Sequence, residues 1–324
     1  MKILVLGAAG MIGRKLIERL LSVGTLRGEA ISSIHAFDVV EARIENSGTI
    51  DVSIEAGDIT NVETVNRMVA DRPDVIFHLA AIVSGEAEAE FEKGYSINLD
   101  GTQNLFQAII AEKDYMPRVV YASSIAVFGA PFPSFIEDEF HHTPLTSYGT
   151  QKAIGELLLA DFTRKGHFDG IGLRFPTIVV RPGKPNLAAS GFFSNIVREP
   201  LAGQEAVLPV PRDVMHWMAS PRAAVNFCIH AAEIDGEKVG PRRNLTLPGV
   251  AATVGEMIEA LERVAGSEVV ARIKEVPDET IIGIVDNWPK RFVAKRAESL
   301  GFQAEASFDA IIKAPIEDEL GGSV

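Results

Sequence analysis

The sequence predicts an α/β fold, a doubly wound parallel sheet with a smaller C-terminal lobe, and three observations carry that expectation. A short apolar run, Lys2 to Leu6, passes through Gly7-Ala-Ala-Gly10-Met-Ile-Gly13 into a segment with apolar residues at Leu16, Ile17, Leu20 and Leu21, which is helical spacing. Strand and helix signals then alternate through the first half of the chain. Beyond Pro176 the texture changes, with Pro182, Pro185, Pro200, Pro209, Pro211 and Pro221 in quick succession and fewer periodic runs.

The first strand, the glycine turn and the first helix follow without a gap. Glycine admits positive φ and lets a backbone approach a ligand, and the first turn of a helix leaves unpaired N–H groups that favour an anion. The turn is therefore a seat for a pyrophosphate, with Gly7, Ala9, Gly10, Met11 and Ile12 facing a nucleotide cofactor. The same glycines would serve a plain strand-to-helix turn; their place after the first strand favours the nucleotide.

Ile31 to Phe37 reads as the second strand and ends at Asp38, whose carboxylate is placed to accept both ribose hydroxyls of an adenosine. A carboxylate there repels the extra phosphate of NADP, and Val39-Val40 supply no adjacent cation, although Arg43 is near in sequence. The expected cofactor is NAD. Val52 to Ala56 is a third strand closing at Gly57-Asp58-Ile59, Val62 to Val69 a helix, and Asp74 to Ala81 a central strand. Asp58, Ile59, Leu79, Ala80 and Ala81 thus fall at carboxyl ends of strands, where open α/β sheets bind ligands.

A polar loop, Ser84 to Glu90, precedes one long helix from Phe91 to Ala111, despite Gly94 and Gly101. Arg118 to Ser124 is the next strand, Tyr148 to Thr163 the next helix and Gly170 to Phe175 the sixth strand. The division expected is a nucleotide-binding domain over residues 1–175, with 213–235 returning to it, and a substrate lobe mainly over 176–324. In that lobe Ala252 to Ala265 and Phe292 to Leu300 read as helices.

Tyr148 and Lys152 stand four apart on a helix and so share a face. The positive charge is expected to draw the tyrosine's pKa down from its usual ~10, equipping it to take a proton from an alcohol as hydride leaves. Ser123-Ser124 end a strand on the same side, where a serine hydroxyl can hold the substrate oxygen.

The charge balance is 31 basic against 44 acidic residues, formally −13, which disfavours nucleic acid and anionic lipid as partners. No run of 18 apolar residues occurs, so the chain is expected to be soluble and cytoplasmic, with no membrane partner. Cys228 is the lone cysteine, in an apolar stretch that marks it as a core residue. His141-His142 have no matched ligand pair, and no metal is expected.

Together these residues occur in the order and spacing of the extended short-chain dehydrogenase/reductases, and the resemblance spans nearly the whole chain. It implies a Rossmann domain. "HLAA", His78 to Ala81, matches that family's cofactor strand, and "NLDGT" places Asn98 at its usual asparagine, which the resemblance puts in the cofactor set. "SSIAVFG" makes Ser124 the substrate-side serine, with Phe128 where a tyrosine is common, and "YGTQK" supplies Tyr148 as acid/base and Lys152 as its partner and ribose ligand. Pro176, after the sixth strand, joins the implied cofactor set, and Arg212-Asp-Val-Met-His216 resembles a stretch of nucleotide-sugar epimerases.

Those epimerases usually carry an asparagine for the substrate's diphosphate where this chain has Thr177. A substrate with one carboxylate does not need it, and Arg181 or Arg212 can clamp such a group, or serve as surface ion-pair partners. "VSGEAEAEF", "RFPTIVVRPGKPNLAASGF", "REPLAGQEAVLPV" and "MHWMASPRAAV" are similar to strings of one branch, the D-erythronate dehydrogenases. That implies NAD-dependent oxidation of the 2-hydroxyl of a four-carbon sugar acid, with Ser84, Thr177 and Asn186 as hydroxyl contacts. The alternatives are a nucleotide-sugar 4-epimerase with retained NAD and a non-catalytic NAD sensor. Relatives dimerise through two helices beside the lysine, so a homodimer is expected.

Overall fold

Ten strands and ten helices position the site. The strands are β1 (Lys2–Leu6), β2 (Ser33–Asp38), β3 (Asp51–Ala56), β4 (Val75–His78), β5 (Arg118–Ser124), β6 (Asp169–Phe175), β7 (Thr177–Ile178), β8 (Met215–Ala219), β9 (Asn244–Thr246) and β10 (Val250–Thr253). The helices are α1 (Met11–Val23), α2 (Val62–Ala70), α3 (Ser84–Ala89), α4 (Phe91–Tyr95), α5 (Gly101–Ala111), α6 (Ser147–Arg164), α7 (Gly191–Leu201), α8 (Pro221–Glu233), α9 (Val254–Ala265) and α10 (Phe308–Glu319). This computed structural model describes residues 1–46, 48–181 and 190–319.

Seven strands form one parallel sheet in the order β9-β6-β5-β4-β1-β2-β3. The order reverses at β1 and β4, which is the switch point where open α/β sheets take ligands. Side chains alternate across a strand, and β1 displays this: Ile3 and Val5 enter one core with α1 and α8, Leu4 and Leu6 the other with α2, α5 and α6. With both faces covered, β1 must be apolar throughout, which is why it reads as an unbroken run.

The seventh strand, β9, escapes hydrophobic reading because it is three residues long and begins with Asn244. The long helix from Phe91 to Ala111 exists, but a π-helical turn, Ser96–Asp100, interrupts it between α4 and α5. The helix expected over Phe292 to Leu300 is corrected. Phe292–Val293 pair as a strand with Ile136–Glu137, and only Lys295–Ser299 is helical. Phe292 is drawn out of helical geometry by an aromatic cluster, its ring 5.8 Å from Phe128 and 5.7 Å from Trp217.

The remaining residues build a second core from α7, α9 and α10, with Phe193, Val197, Met257, Leu261, Ile311 and Ile312 buried together. A small sheet, β7-β8-β10, joins that core to the end of β6. Thr253 caps α9 in a capping box with Glu256. Cys228 is buried in α8, and burial pushes its thiol up to about 12, so it is inert packing.

Candidate active site

The glycine turn lies against the end of β4. Gly7 takes φ +91°, and a Cβ there would stand 2.7 Å from the Ala80 nitrogen. Gly13 is demanded by packing, since its Cβ would meet the Gly7 carbonyl at 2.1 Å. Gly10 differs: it has φ −66° and ψ 162°, open to any residue, and a Cβ would meet only the Gly7 oxygen, at 3.3 Å. Folding alone does not explain a glycine there, whereas a ligand lying on the turn does.

α1 has no side-chain cap and no acidic residue in its first turn, whereas α2, α6, α8, α9 and the short helix that follows Asp278 all have capping side chains. Met11 and Ile12 open α1, both half-buried. The two Asp38 oxygens accept from the Ala9 nitrogen at 2.9 Å and the Val39 nitrogen at 2.7 Å, which fixes the carboxylate beside the turn. Val39, Val40 and Arg43 are exposed.

Farther along the same edge, Asp58 is exposed and accepts from the Thr60 nitrogen at 2.9 Å. Ile59 is buried against Gly101. Leu79, Ala80 and Ala81 follow β4 as half-buried loop. Asn98, on the π-helical turn, braces the loop that follows β4. Its Oδ1 accepts from the Ile82 nitrogen at 2.9 Å, and its Nδ2 donates to the Ile82 oxygen at 3.1 Å and to Gln151 at 2.7 Å. It is buried, at 1% exposure.

Three groups expected to converge do so. Thr146 caps α6, whose first turn carries Tyr148 to the end of β5, where the Ser124 hydroxyl, accepting from the Ala126 nitrogen at 3.1 Å, lies near enough to the phenol to favour its phenolate. Lys152, buried one turn on, has its Nζ 5.8 Å from the Tyr148 ring centre and donates to the Ala122 oxygen at 2.7 Å. The expectation that the lysine depresses the tyrosine's pKa is corrected. Burial pushes Tyr148 up to about 12, with Ser124 pulling weakly the other way. Burial also pulls Lys152 down to about 7, Glu156 opposing, so its charge is only partial at neutral pH and a weak lever.

The two serines have opposite fates because neighbours on a strand face opposite ways. Ser123 donates to Glu156 at 2.5 Å inside the protein. Glu156, fully buried, also receives Arg174 through Nε and a terminal nitrogen at 2.7–3.0 Å and meets His142 Nε2 at 2.7 Å. Burial pushes the Glu156 carboxyl up, but His142 and Arg174 outweigh it and hold it low. Sequence reasoning misses this cluster; the only hint is that Glu156 lies four residues after Lys152. Among the described residues no three metal-ligating side chains come together, His141 and His142 included.

On the lobe side, Pro176 is buried directly after β6, and Thr177 Oγ1 lies 2.6 Å from His216 Nε2. Ser84 opens α3, half-buried, just beyond the loop that Asn98 pins. Arg212 takes the ion-pair alternative: it is exposed and meets Glu275 at 2.7–2.8 Å. Arg181 is half-buried and donates to the Ser190 hydroxyl at 3.2 Å, with no carboxylate partner among the described residues. Asn186 lies outside the described residues. The arrangement fits NAD: the open turn and uncapped α1 suit the pyrophosphate, Asp38 the ribose, and the remaining Lys152 donors a second ribose.

The NAD dependent epimerase/dehydratase family model matches residues 3–218. A D-erythronate dehydrogenase from Cupriavidus necator is 43% identical over 98% of this chain and 98% of its own length. Another, from Haemophilus influenzae, is 37% identical over 99% and 100%. A solved structure named as a nucleoside-diphosphate-sugar epimerase from Agrobacterium tumefaciens is 60% identical, with TM-score 0.98 over 100% of this chain and 95% of that one. The holo GalE-like L-threonine dehydrogenase of Cupriavidus necator, 20% identical with TM-score 0.83 over 98% and 99%, shares the fold.

Proposed function

The chain belongs to the NAD dependent epimerase/dehydratase family, and from that premise we propose that it oxidises the 2-hydroxyl of a four-carbon sugar acid, D-erythronate, to 2-dehydro-D-erythronate. The observation that carries this reading is the meeting of Ser124, Tyr148 and Lys152 at the carboxyl edge of β5.

NAD, when bound, supplies the hydride acceptor. Ser124 holds the substrate oxygen, and Tyr148 removes the hydroxyl proton. Lys152 holds the nicotinamide ribose. Gly7, Ala9, Gly10, Met11 and Ile12 line the pyrophosphate, Asp38 binds the adenosine ribose, and Asp58, Ile59, Leu79, Ala80, Ala81 and Pro176 border the cofactor. Arg181 takes the carboxylate, with Ser84 and Thr177 at the other hydroxyls. Residues 1–175 with 213–235 hold the cofactor, and the rest mainly the acid.

The test is NADH formation, followed by absorbance, with a panel of C4 to C6 aldonates. Erythronate should give the fastest rise; no rise with any member overturns the reading. The 60% relative named as an epimerase favours a second reading, a nucleotide-sugar 4-epimerase. An epimerase copurifies with NAD and interconverts its sugars with no net absorbance change. A mere NAD sensor has no use for the Ser124–Tyr148 pair. We also assign the enzyme to the cytoplasm and to a homodimer built on α4 and α6, where Phe91 and Leu157 are 58% and 60% exposed. Light scattering at the mass of one chain would count against the dimer.

A further inference from the structure

His216 is buried, its ring stacked on Phe193 at 5.2 Å and tilted against Trp288 at 5.3 Å. Its Nδ1 lies 3.0 Å from the Pro289 carbonyl oxygen, and its Nε2 lies 2.6 Å from Thr177 Oγ1. A carbonyl oxygen only accepts, so Nδ1 must carry the proton. Burial holds the imidazole neutral, its pKa pulled down to about 4. Nε2 is therefore a bare lone pair, and the Thr177 hydroxyl must donate its one proton to it. What Thr177 turns outward is lone pairs alone.

Thr177 is half-buried at the start of β7, two residues past Phe175, and Phe175 is in register with Ser124. We propose that His216 fixes Thr177 as an acceptor-only group in the substrate cleft, so that the site selects a hydroxyl donor beyond the reacting carbon and repels a carboxylate or phosphate oxygen there. The substrate part of this rests on the sugar-acid reading above. His216 is a positioning residue: it acts through Thr177. It also bears on the epimerase alternative, because a diphosphate needs donors at such a position.

Two measurements test this. Nitrogen NMR of the His216 ring in the wild-type protein should report the Nδ1–H tautomer with Nε2 unprotonated; a proton on Nε2 overturns the acceptor assignment whatever the enzyme oxidises. In the NADH assay, erythronate should exceed its 3-deoxy or its 4-deoxy analogue by ~10-fold to 10²-fold in kcat/KM, the worth of one buried hydrogen bond. Thr177→Val should bring that ratio near one, and His216→Phe, with NAD affinity and melting temperature retained, should reduce it by freeing the hydroxyl to rotate. Both ratios unchanged in Thr177→Val overturn the selection. Absence of NADH with every acid counts against the sugar-acid reading and leaves the tautomer to decide the orientation.

Discussion

Lys152 and Glu156 lie one helical turn apart on α6, both buried, yet the two charges take separate partners. Lys152 donates to the Ala122 oxygen at 2.7 Å, while Glu156 is shared by Ser123, His142 and Arg174. Burial lowers the lysine's pKa and the nearby acid opposes that shift only in part. The lysine's amine stays between the Tyr121 and Tyr148 rings, 4.9 and 5.8 Å from their centres.

Tyr148→Phe should lower turnover by ~10² or more while leaving NAD affinity nearly intact, because it removes the proton acceptor and little else. Rate assays beside a fluorescence titration of NAD separate the two effects. A near-normal rate would mean that another group is the base.

The raised phenol also sets a pH dependence. With Tyr148 near 12, its phenolate fraction grows with each unit of pH through the neutral range, so oxidation should quicken from pH 6 to 9. The reverse reduction, which needs the protonated phenol, should not. A flat oxidation profile across that range contradicts this assignment.

His78 and His216 are held neutral by burial, His78 at about 3 and His216 at about 4, against about 6.5 unfolded. Below 6.5 the unfolded chain binds more protons than the folded one, so the stability these groups provide is complete above that pH and drains away as pH falls toward 3 to 4. Each contributes a slope of about 1.4 kcal/mol per pH unit within its window. Urea melts between pH 7 and 5 should show the decline, and His78→Asn should flatten it; an unchanged slope in that variant refutes the attribution.

Gly10→Ala and Gly13→Ala should part company. The first places a methyl where the protein is nearly open, so it should raise the KM for NAD with little change in melting temperature. The second drives a methyl to 2.1 Å from the Gly7 carbonyl and should destabilise the fold itself. Equal melting losses would remove the argument for a ligand over Gly10.

Arg181→Met should raise the KM for the acid by ~10-fold to 10³-fold, from loss of a charge-assisted pair. Arg212→Met, which breaks only an exposed pair with Glu275, should change it by less than about threefold. The opposite ranking would move the carboxylate to Arg212.

The fold is legible because its evidence is local: β1 is apolar without alternation, the glycines follow it at once, and α1 begins where they stop. Tyr148, Lys152 and Ser124 are legible for the same reason, each standing at the start of a helix or end of a strand that periodicity locates. What the sequence conceals depends on contacts across the chain. His142 reads as a loop histidine until Glu156 meets it, and His216 gains its meaning from Pro289, 73 residues away. The direction of the tyrosine's pKa shift escapes the sequence because spacing on a helix reveals a neighbouring charge but not the burial of both groups.

Ser123 and Ser124 are chemically identical neighbours with opposite duties, one hydroxyl consumed by Glu156 and the other left at the phenol. A slip of β5 by a single residue against β6 would exchange them, emptying the cleft of its hydroxyl and leaving an interior carboxylate short of a donor. Strand registration is thus itself a catalytic parameter of this enzyme, and the pairing of Ser123 with Arg174 and Ser124 with Phe175 is where it is set.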